Sequence, residues 1–387
     1  METKKIIIFG AGISGATIAR KFADIGYDVI IYEKKKEIGG NCFDYKNKHG
    51  VLVHKFGPHI FHTNSEEVYE FINRFDKLNN FINKVQVSVN NIRFPIPINF
   101  KSIEIIFPND AKYIITTLKK IFQDKKTITL FELEEIQDKK IKLLYNYVYK
   151  NVFANYTAKM WGKNIEEIDK NTINRIKIVL GYGETYFPED KYQGLPQNGY
   201  TNLIKKIITH KNIKIITNSK IKLVFKNKKI YINNKEVIFQ IIYCGLIDEL
   251  FNFKYGELPF RSLQIKTENF NKENYQDNAV INYPAHKTMT RITEYKKMTK
   301  QNIINKTSIS KEFPGEYDKK SKKFNTPFYP IINDSTAIIL KKYFEETSKY
   351  KNLFLLGRLA QYKYYDMDDA MLAAFELFNK IVVKKTK

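Results

Sequence analysis

A chain of 387 residues, 43% hydrophobic and 14% aromatic, can bury a large core, and its length suits two or three domains better than one. Two cysteines exclude a disulfide framework and fit a reducing compartment, and no stretch approaches the roughly eighteen uncharged apolar residues of a membrane span. The formal charge of +24 comes from lysines spread through nearly every segment, so it argues against a dedicated nucleic-acid surface. A diffuse positive field of this kind steers small anionic substrates inward. The opening METKKIIIFGAG lacks the apolar region and small-residue cleavage site of a secretory signal, from which a cytoplasmic location is expected.

Residues 4–33 predict an apolar strand (Ile6–Phe9), a glycine turn, a helix to about Gly26, and a second strand (Val29–Tyr32) closed by Glu33. That is one βαβ unit. Its turn, Gly10-Ala-Gly12-Ile-Ser14-Gly15, fits G-x-G-x-x-G, and Glu33 follows eighteen residues after Gly15. In such a turn the first glycine permits the tight bend and the second lets the backbone approach a pyrophosphate. The third lets helix and strand pack closely, and the helix N-terminus favours phosphate charge. Glu33 would accept hydrogen bonds from a ribose. FAD and NAD share the pattern, but Gly39-Gly40-Asn41 places flexible backbone where FAD enzymes wrap the cofactor a second time, which favours FAD. Candidate cofactor contacts here are Gly10, Gly12, Ser14, Gly15, Glu33, Gly40 and Asn41.

Further along, residues 66–80 are predicted helical and 85–98 extended, with two prolines in FPIP. From about Ser102 to Trp161 the pattern is strongly helical. Within it Tyr145, Tyr149, Val152 and Tyr156 fall at spacings of four, three and four, a stripe that predicts core packing. Glycines and aromatics return at 181–200, LIKKIITH predicts a helix, and 213–244 predicts short strands, the last being the buried IIYCG. Residues 256–296 alternate as antiparallel sheet, whereas the lysine-rich 299–325 predicts a loop with one weak helix.

Arg261 and Arg291 stand on otherwise apolar strand faces, where an unpaired charge is costly, so each is expected to point into a site. His59 and His62, with His49, His54 and Cys42 nearby, lack the second cysteine or spaced carboxylate of a zinc pattern, so no metal is expected. The C-terminal GRLAQYKYYDMDDA (357–370) joins an apolar strand to a helix capped in the Asp366–Asp369 region and running through Met371, Phe375, Phe378 and Val382.

Five segments, KFGPHIFHTN (55–64), RIK…YGETYF (175–187), YQGLPQNGYTNLI (192–204), NYPAHKTMTRITEYK (282–296) and GRLAQYKYYDMDDA (357–370), together resemble bacterial UDP-galactopyranose mutases. The likeness runs over nearly the whole chain. It implies an α/β protein with a Rossmann-like FAD-binding core, an inserted helical domain and an antiparallel β-sheet domain. The expected division is a discontinuous FAD-binding domain (1–80, 199–250 and 345–387), a helical domain with a mobile substrate loop (100–180), and a sheet domain for substrate (81–99, 181–198 and 251–344).

The resemblance also implies an isomerase interconverting UDP-galactopyranose and UDP-galactofuranose for cell-surface glycans. N5 of reduced FAD attacks the anomeric carbon, with no net redox change. An external reductant such as NAD(P)H and a homodimer are implied as well. By the same resemblance Arg291 and Arg358 grip the diphosphate with Arg261 nearby, and Arg175 sits on a mobile loop. Tyr156, Trp161, Tyr186, Tyr329, Tyr364 and Asp366 line the substrate pocket. Tyr362 lines the approach, while His59, His62, Arg358 and Asp368 meet the flavin. Arg291, Arg358, Arg175 and His62 are the implied catalytic set, and His59 resembles the enzymes of plain galactose.

The chain departs from the family at Lys297, where histidine is usual, and at Lys177, where proline is common. The alternatives are an FAD-dependent oxidase or desaturase, a mutase of UDP-N-acetylgalactosamine, and a non-enzymatic nucleotide-binding scaffold. The first would not need Arg175, Arg261, Arg291 and Arg358 around one pocket, and the third predicts tight UDP binding without flavin colour.

Overall fold

The computed structural model describes residues 4–162 and 177–386. Its nucleotide-binding core is a five-stranded, all-parallel sheet in the order Ile213–Ile216, Asp28–Tyr32, Lys5–Phe9, Gln240–Tyr243, Leu353–Leu355. Runs such as KIIIF and QIIY are apolar at successive positions because both faces of a parallel sheet are covered. On one face Ile6, Ile8 and Ile31 pack beneath the helices Ile13–Asp24, Tyr200–Ile208 and Met367–Thr386. On the other, Ile7, Phe9 and Ile241 pack against the meander Val224–Lys226, Lys229–Ile232, Lys235–Glu236 and the helix Asp334–Ser348. Both meander turns carry pairs of left-handed residues, Asn227-Lys228 and Asn233-Asn234, as two-residue hairpins require.

A second sheet has seven strands in the order Tyr329–Pro330, Phe260–Phe270, Thr307–Glu316, Arg291–Glu294, Val280–Asn282, Val85–Val89, Ile92–Ile96. Every pairing is antiparallel except that of Val280–Asn282 with Val85–Val89, so the sheet is mixed. The expected loop at 299–325 is corrected here. Ten of its residues form a central strand, Thr307–Glu316, paired on both edges, with Ile309 and Glu312 fully buried. Its sequence TSISKEFPGE hides a strand because the inward positions include a carboxylate and hydroxyls rather than an apolar alternation.

Helices Phe100–Ile106, Ala111–Ile121, Leu130–Glu134, Lys139–Val148 and Asn155–Trp161 form the third part, with capping boxes at Asn99/Ser102 and Thr129/Glu132 fixing two of the starts. Lys139–Val148 does not continue straight into Asn155–Trp161. A π-helical turn, Tyr149–Ala154, intervenes, and one extra residue per turn rotates the next helix by about 100°. Tyr145 and Tyr149 therefore stack on each other against the core, as the stripe predicts, while Tyr156 swings off it. No helix of the described residues is long and apolar enough to cross a membrane.

Candidate active site

The glycine turn closes over the carboxyl ends of the parallel strands. Gly10 has a φ of +111°, which favours glycine, and a side chain on Gly15 would lie 2.1 Å from the Gly10 carbonyl oxygen, so helix and strand meet only because Gly15 lacks one. Across the turn Gly12 bridges to Gly39, and a Cβ on Gly40 would stand 3.1 Å from Gly12 Cα. The turn opens on a cavity of about 910 Å³ lined by Gly10, Gly12, Ser14, Gly15, Glu33, Gly40, Asn41, His59 and Arg358, all of them residues expected to meet a cofactor. Glu33 is buried, and its carboxylate accepts from the Ala11 amide at 2.7 Å and the Lys35 amide at 2.9 Å. Each carboxylate oxygen keeps acceptor capacity beyond these amides, and Glu33 lines the cavity.

A second cavity of about 510 Å³ adjoins the first, and Asp366 lines both. Around it stand Tyr156, Trp161, Tyr186, Arg261, Arg291, Tyr329 and Tyr364, each expected from the sequence, and also His62. Arg358 lies over the rings of Tyr329 and Tyr364, 5.5 and 5.1 Å from their centroids, and those rings stack on each other. Its guanidinium donates to the Phe328 and Tyr365 carbonyls, which hold it at the seam of the two cavities. Tyr364 donates to the Asp366 carboxylate at 3.2 Å. Asp366 precedes the helix Met367–Thr386, and its amide donates to Asp369, so the expected cap is present.

Several positions differ from expectation. Tyr362 is buried, its hydroxyl donating to the Pro259 and Ile331 carbonyls, so it belongs to the core and not to the approach. Asp368 lines neither cavity; the Thr63 hydroxyl bonds its carboxyl, and burial moves its pKa upward. Arg261 does line the second cavity, but its Nε donates to the Met160 carbonyl at 2.7 Å. It thereby caps the helix Asn155–Trp161, whose end at Gly162 leaves room for nothing larger beside the guanidinium. His62 lines the second cavity and not the first. Arg175 lies outside the described residues.

Four participants escaped the sequence. Glu312 is fully buried, and its Oε1 lies 2.6 Å from Arg291 Nε. Burial opposes charge on both partners, but the carboxylate beside it holds the guanidinium firmly protonated. Asn282, 7% exposed, lines the second cavity with a buried amide oxygen that has no hydrogen-bond partner among the described residues. Lys159 donates to the Tyr283, His286 and Met289 carbonyls at 2.9, 2.5 and 2.7 Å, tying the helix of Tyr156 and Trp161 to the turn before Arg291. Asp190 Oδ2 lies 2.6 Å from His62 Nδ1. Only Lys159, in YTAKMW, has a local signal: a lone cation on a helix face otherwise given to aromatic and apolar residues.

His59 sits between the arginines. Burial first, then His54, Arg358 and Arg291 keep its ring neutral, with a pKa lowered to about 3. Burial also raises the Tyr156 hydroxyl above the usual phenol range, a shift that Arg291 partly offsets. A ring-lined cleft with two fixed guanidiniums can hold a diphosphate between flat partners, and the adjoining glycine crevice can hold a dinucleotide.

Known proteins share both the sequence and the architecture. A family model described as UDP-galactopyranose mutase matches residues 151–364, and one described as an NAD(P)-binding Rossmann-like domain matches residues 8–75. The UDP-galactopyranose mutase of Mycoplasma genitalium is 41% identical over 375 residues, covering 96% of this chain and 93% of its own. The dTDP-fucopyranose mutase of Escherichia coli is 30% identical over 374 residues, covering 96% and 97%. A crystal structure of reduced UDP-galactopyranose mutase superposes with a TM-score of 0.69 at 15% identity, covering 100% of this chain and 97% of that one. A putative protoporphyrinogen oxidase from Exiguobacterium follows the same fold, with a TM-score of 0.66 at 12% identity over 99% and 100%. By the family match and by identity across almost its full length, the chain belongs to the UDP-galactopyranose mutase family.

Proposed function

We propose that this chain interconverts UDP-galactopyranose and UDP-galactofuranose with reduced FAD as its cofactor and without net redox change. The observation that carries the reading is the adjacency of the glycine crevice and the arginine-lined aromatic cavity, which share Asp366, while Arg358 lines the crevice and lies over Tyr329 and Tyr364 of the cavity. The crevice suits a dinucleotide: its glycine turn brings Gly12 and Gly40 together, with a Cβ on Gly40 standing 3.1 Å from Gly12 Cα, so the backbone itself forms the wall that a pyrophosphate would approach. When bound and reduced, the flavin supplies at N5 the nucleophile for the anomeric carbon.

The protein's own residues do the rest. Arg291 and Arg358 hold the diphosphate, which is both leaving group and returning nucleophile, and neutralise its charge. Tyr156 and Trp161 flank the uracil, and Arg261 fixes the helix that carries them. Tyr186, Tyr329, Tyr364 and Asp366 line the space for the sugar and keep it in register with the crevice, where positioning contributes most. Arg175, which lies outside the described residues, is assigned to the substrate on the family resemblance alone. The N-terminus of Met367–Thr386 adds partial positive charge beside the crevice, since Met367 and Ala370 line it. A homodimer in the cytoplasm, reduced by NAD(P)H and supplying galactofuranose for surface glycans, completes the proposal.

The test is to purify the chain, measure its visible flavin absorbance, and incubate the dithionite-reduced protein with UDP-galactopyranose, UDP-N-acetylgalactosamine and dTDP-fucopyranose in parallel. Chromatography should find the furanose of the first as the main product. Colourless protein that still binds UDP, or a faster reaction with either of the other sugars, overturns the reading. The dTDP-sugar arm is included because the relative of that name covers nearly all of both chains.

A further inference from the structure

His62 lies on the strand Phe61–Thr63, which pairs antiparallel with Tyr192–Gly194, so the ring faces the loop leading into that partner strand. Phe187 stacks on it, with centroids 3.7 Å apart and planes 15° from parallel, fixing the ring plane. Nδ1 lies 2.6 Å from Asp190 Oδ2. The other oxygen, Asp190 Oδ1, accepts from Asn64 Nδ2 at 2.9 Å, and Asn64 Oδ1 accepts from the Lys191 amide at 2.9 Å.

The direction of this relay is set at its far end. A backbone amide can only donate, so Asn64 must present its oxygen to Lys191 and its NH2 to Asp190. An ionised Asp190 can only accept, so neutral His62 must carry its proton on Nδ1. Nε2, which has no hydrogen-bond partner among the described residues, is then an acceptor on a ring that lines the substrate cavity.

We propose that Asp190, oriented by Asn64, is a positioning residue that fixes the tautomer of His62, so that Nε2 accepts a hydrogen bond from a hydroxyl of the bound sugar. The identity of that hydroxyl rests on the mutase reading; the tautomer does not. Other charges near the ring are few: Asp368 is bonded to the Thr63 hydroxyl, and Lys191 pairs with Glu66. Neither competes for Nδ1.

The relay makes Asp190→Asn informative. With Asn64 unchanged, the new amide must offer its oxygen to Asn64 Nδ2 and therefore its NH2 to His62. That forces Nδ1 to become the acceptor and moves the proton to Nε2. The double variant Asp190→Asn/Asn64→Asp reverses the polarity, restores the negative charge and returns an oxygen to Nδ1.

The experiment is 15N histidine spectroscopy on flavin-loaded protein above the ring's titration range, with His62 assigned by its loss in His62→Gln. Steady-state kinetics and UDP titration accompany it. The wild type and the double variant should show Nδ1–H, and Asp190→Asn should show Nε2–H. Asp190→Asn should lose about tenfold or more in kcat, as supporting partners of a functional histidine typically do, with UDP affinity retained. The double variant should recover part of the rate. Nε2–H in the wild type, an unchanged tautomer in Asp190→Asn, or an inverted tautomer at full kcat would each overturn the proposal. If Asp190→Asn does not fold, the wild-type tautomer and that of the charge-conserving double variant decide. If the wild type shows Nδ1–H but no isomerase activity, the mutase reading fails and the tautomer assignment stands.

Discussion

Glu312 shows how much of a site can rest on a residue that touches no substrate. Its carboxylate is fully buried beneath Gly57, where a Cβ would stand 3.5 Å from Oε1, and it lies 2.6 Å from Arg291 Nε, which under the proposed function leaves the terminal nitrogens for phosphate. Replacing Arg291 by methionine removes charged hydrogen bonds of about 1.5–3 kcal/mol each, so kcat/KM should fall about 10- to 150-fold per bond lost, read from steady-state kinetics. Glu312→Ala leaves the half-buried Arg291 guanidinium without its carboxylate and should lower stability in a denaturant titration by about 1–3 kcal/mol, with UDP affinity falling in parallel. Gly15→Ala places a methyl against the Gly10 carbonyl, and the purified protein should carry much less flavin per chain, read by visible absorbance. The glycine fingerprint was legible because its chemistry is local: the turn, the helix start and Glu33 lie within twenty-four residues. Glu312, Asp190 and Asn282 were not, because each acquires its role from a partner delivered by another strand or loop, and alone each looks like an ordinary solvated polar residue.

The helix Asn155–Trp161 is held at two points, Arg261 on its terminal carbonyls and Lys159 on the turn 283–289. The tether links Tyr156 and Trp161, the rings proposed to flank the uracil, to the strand that begins at Arg291. Lys159→Met keeps most of the aliphatic bulk and removes all three donations, so UDP should bind roughly tenfold more weakly, given the net worth of charged hydrogen bonds, while flavin content stays unchanged. Isothermal titration with UDP checks this, and equal affinity would dismiss the tether. At this scale the sequence conveyed the βαβ unit and the helical stretch from 100 to 161 well, since their periodicity reflects burial directly. It failed at Thr307–Glu316, where a buried carboxylate and three hydroxyl-bearing residues occupy a central strand, and at the π turn, which no hydrophobic stripe reveals. Both failures lie beside the arginine cavity, where function overrides the pattern that folding alone would select.

Across the whole molecule, a charge of +24 should draw a dianionic nucleotide sugar toward the clefts. Raising ionic strength at fixed pH should therefore lower kcat/KM more than kcat, because screening weakens encounter and leaves the bound complex nearly untouched. Acid should loosen the fold through the histidines. His54 and His59 are held neutral by burial, with pKa values lowered from 6.5 to about 3. The unfolded chain thus binds more protons below 6.5, and the stability they contribute, complete above that value, drains as pH falls toward about 3. Melting temperature should drop across this window, and His54→Gln should flatten the slope. The proposed chemistry turns on a flavin that must be reduced yet is not consumed. The most direct measurement is anaerobic turnover with a counted amount of reductant: many molecules of UDP-galactofuranose per electron pair supplied, and none from the oxidised protein, is the predicted result. Product that never exceeds the reductant added, or equal rates from oxidised protein, would contradict it.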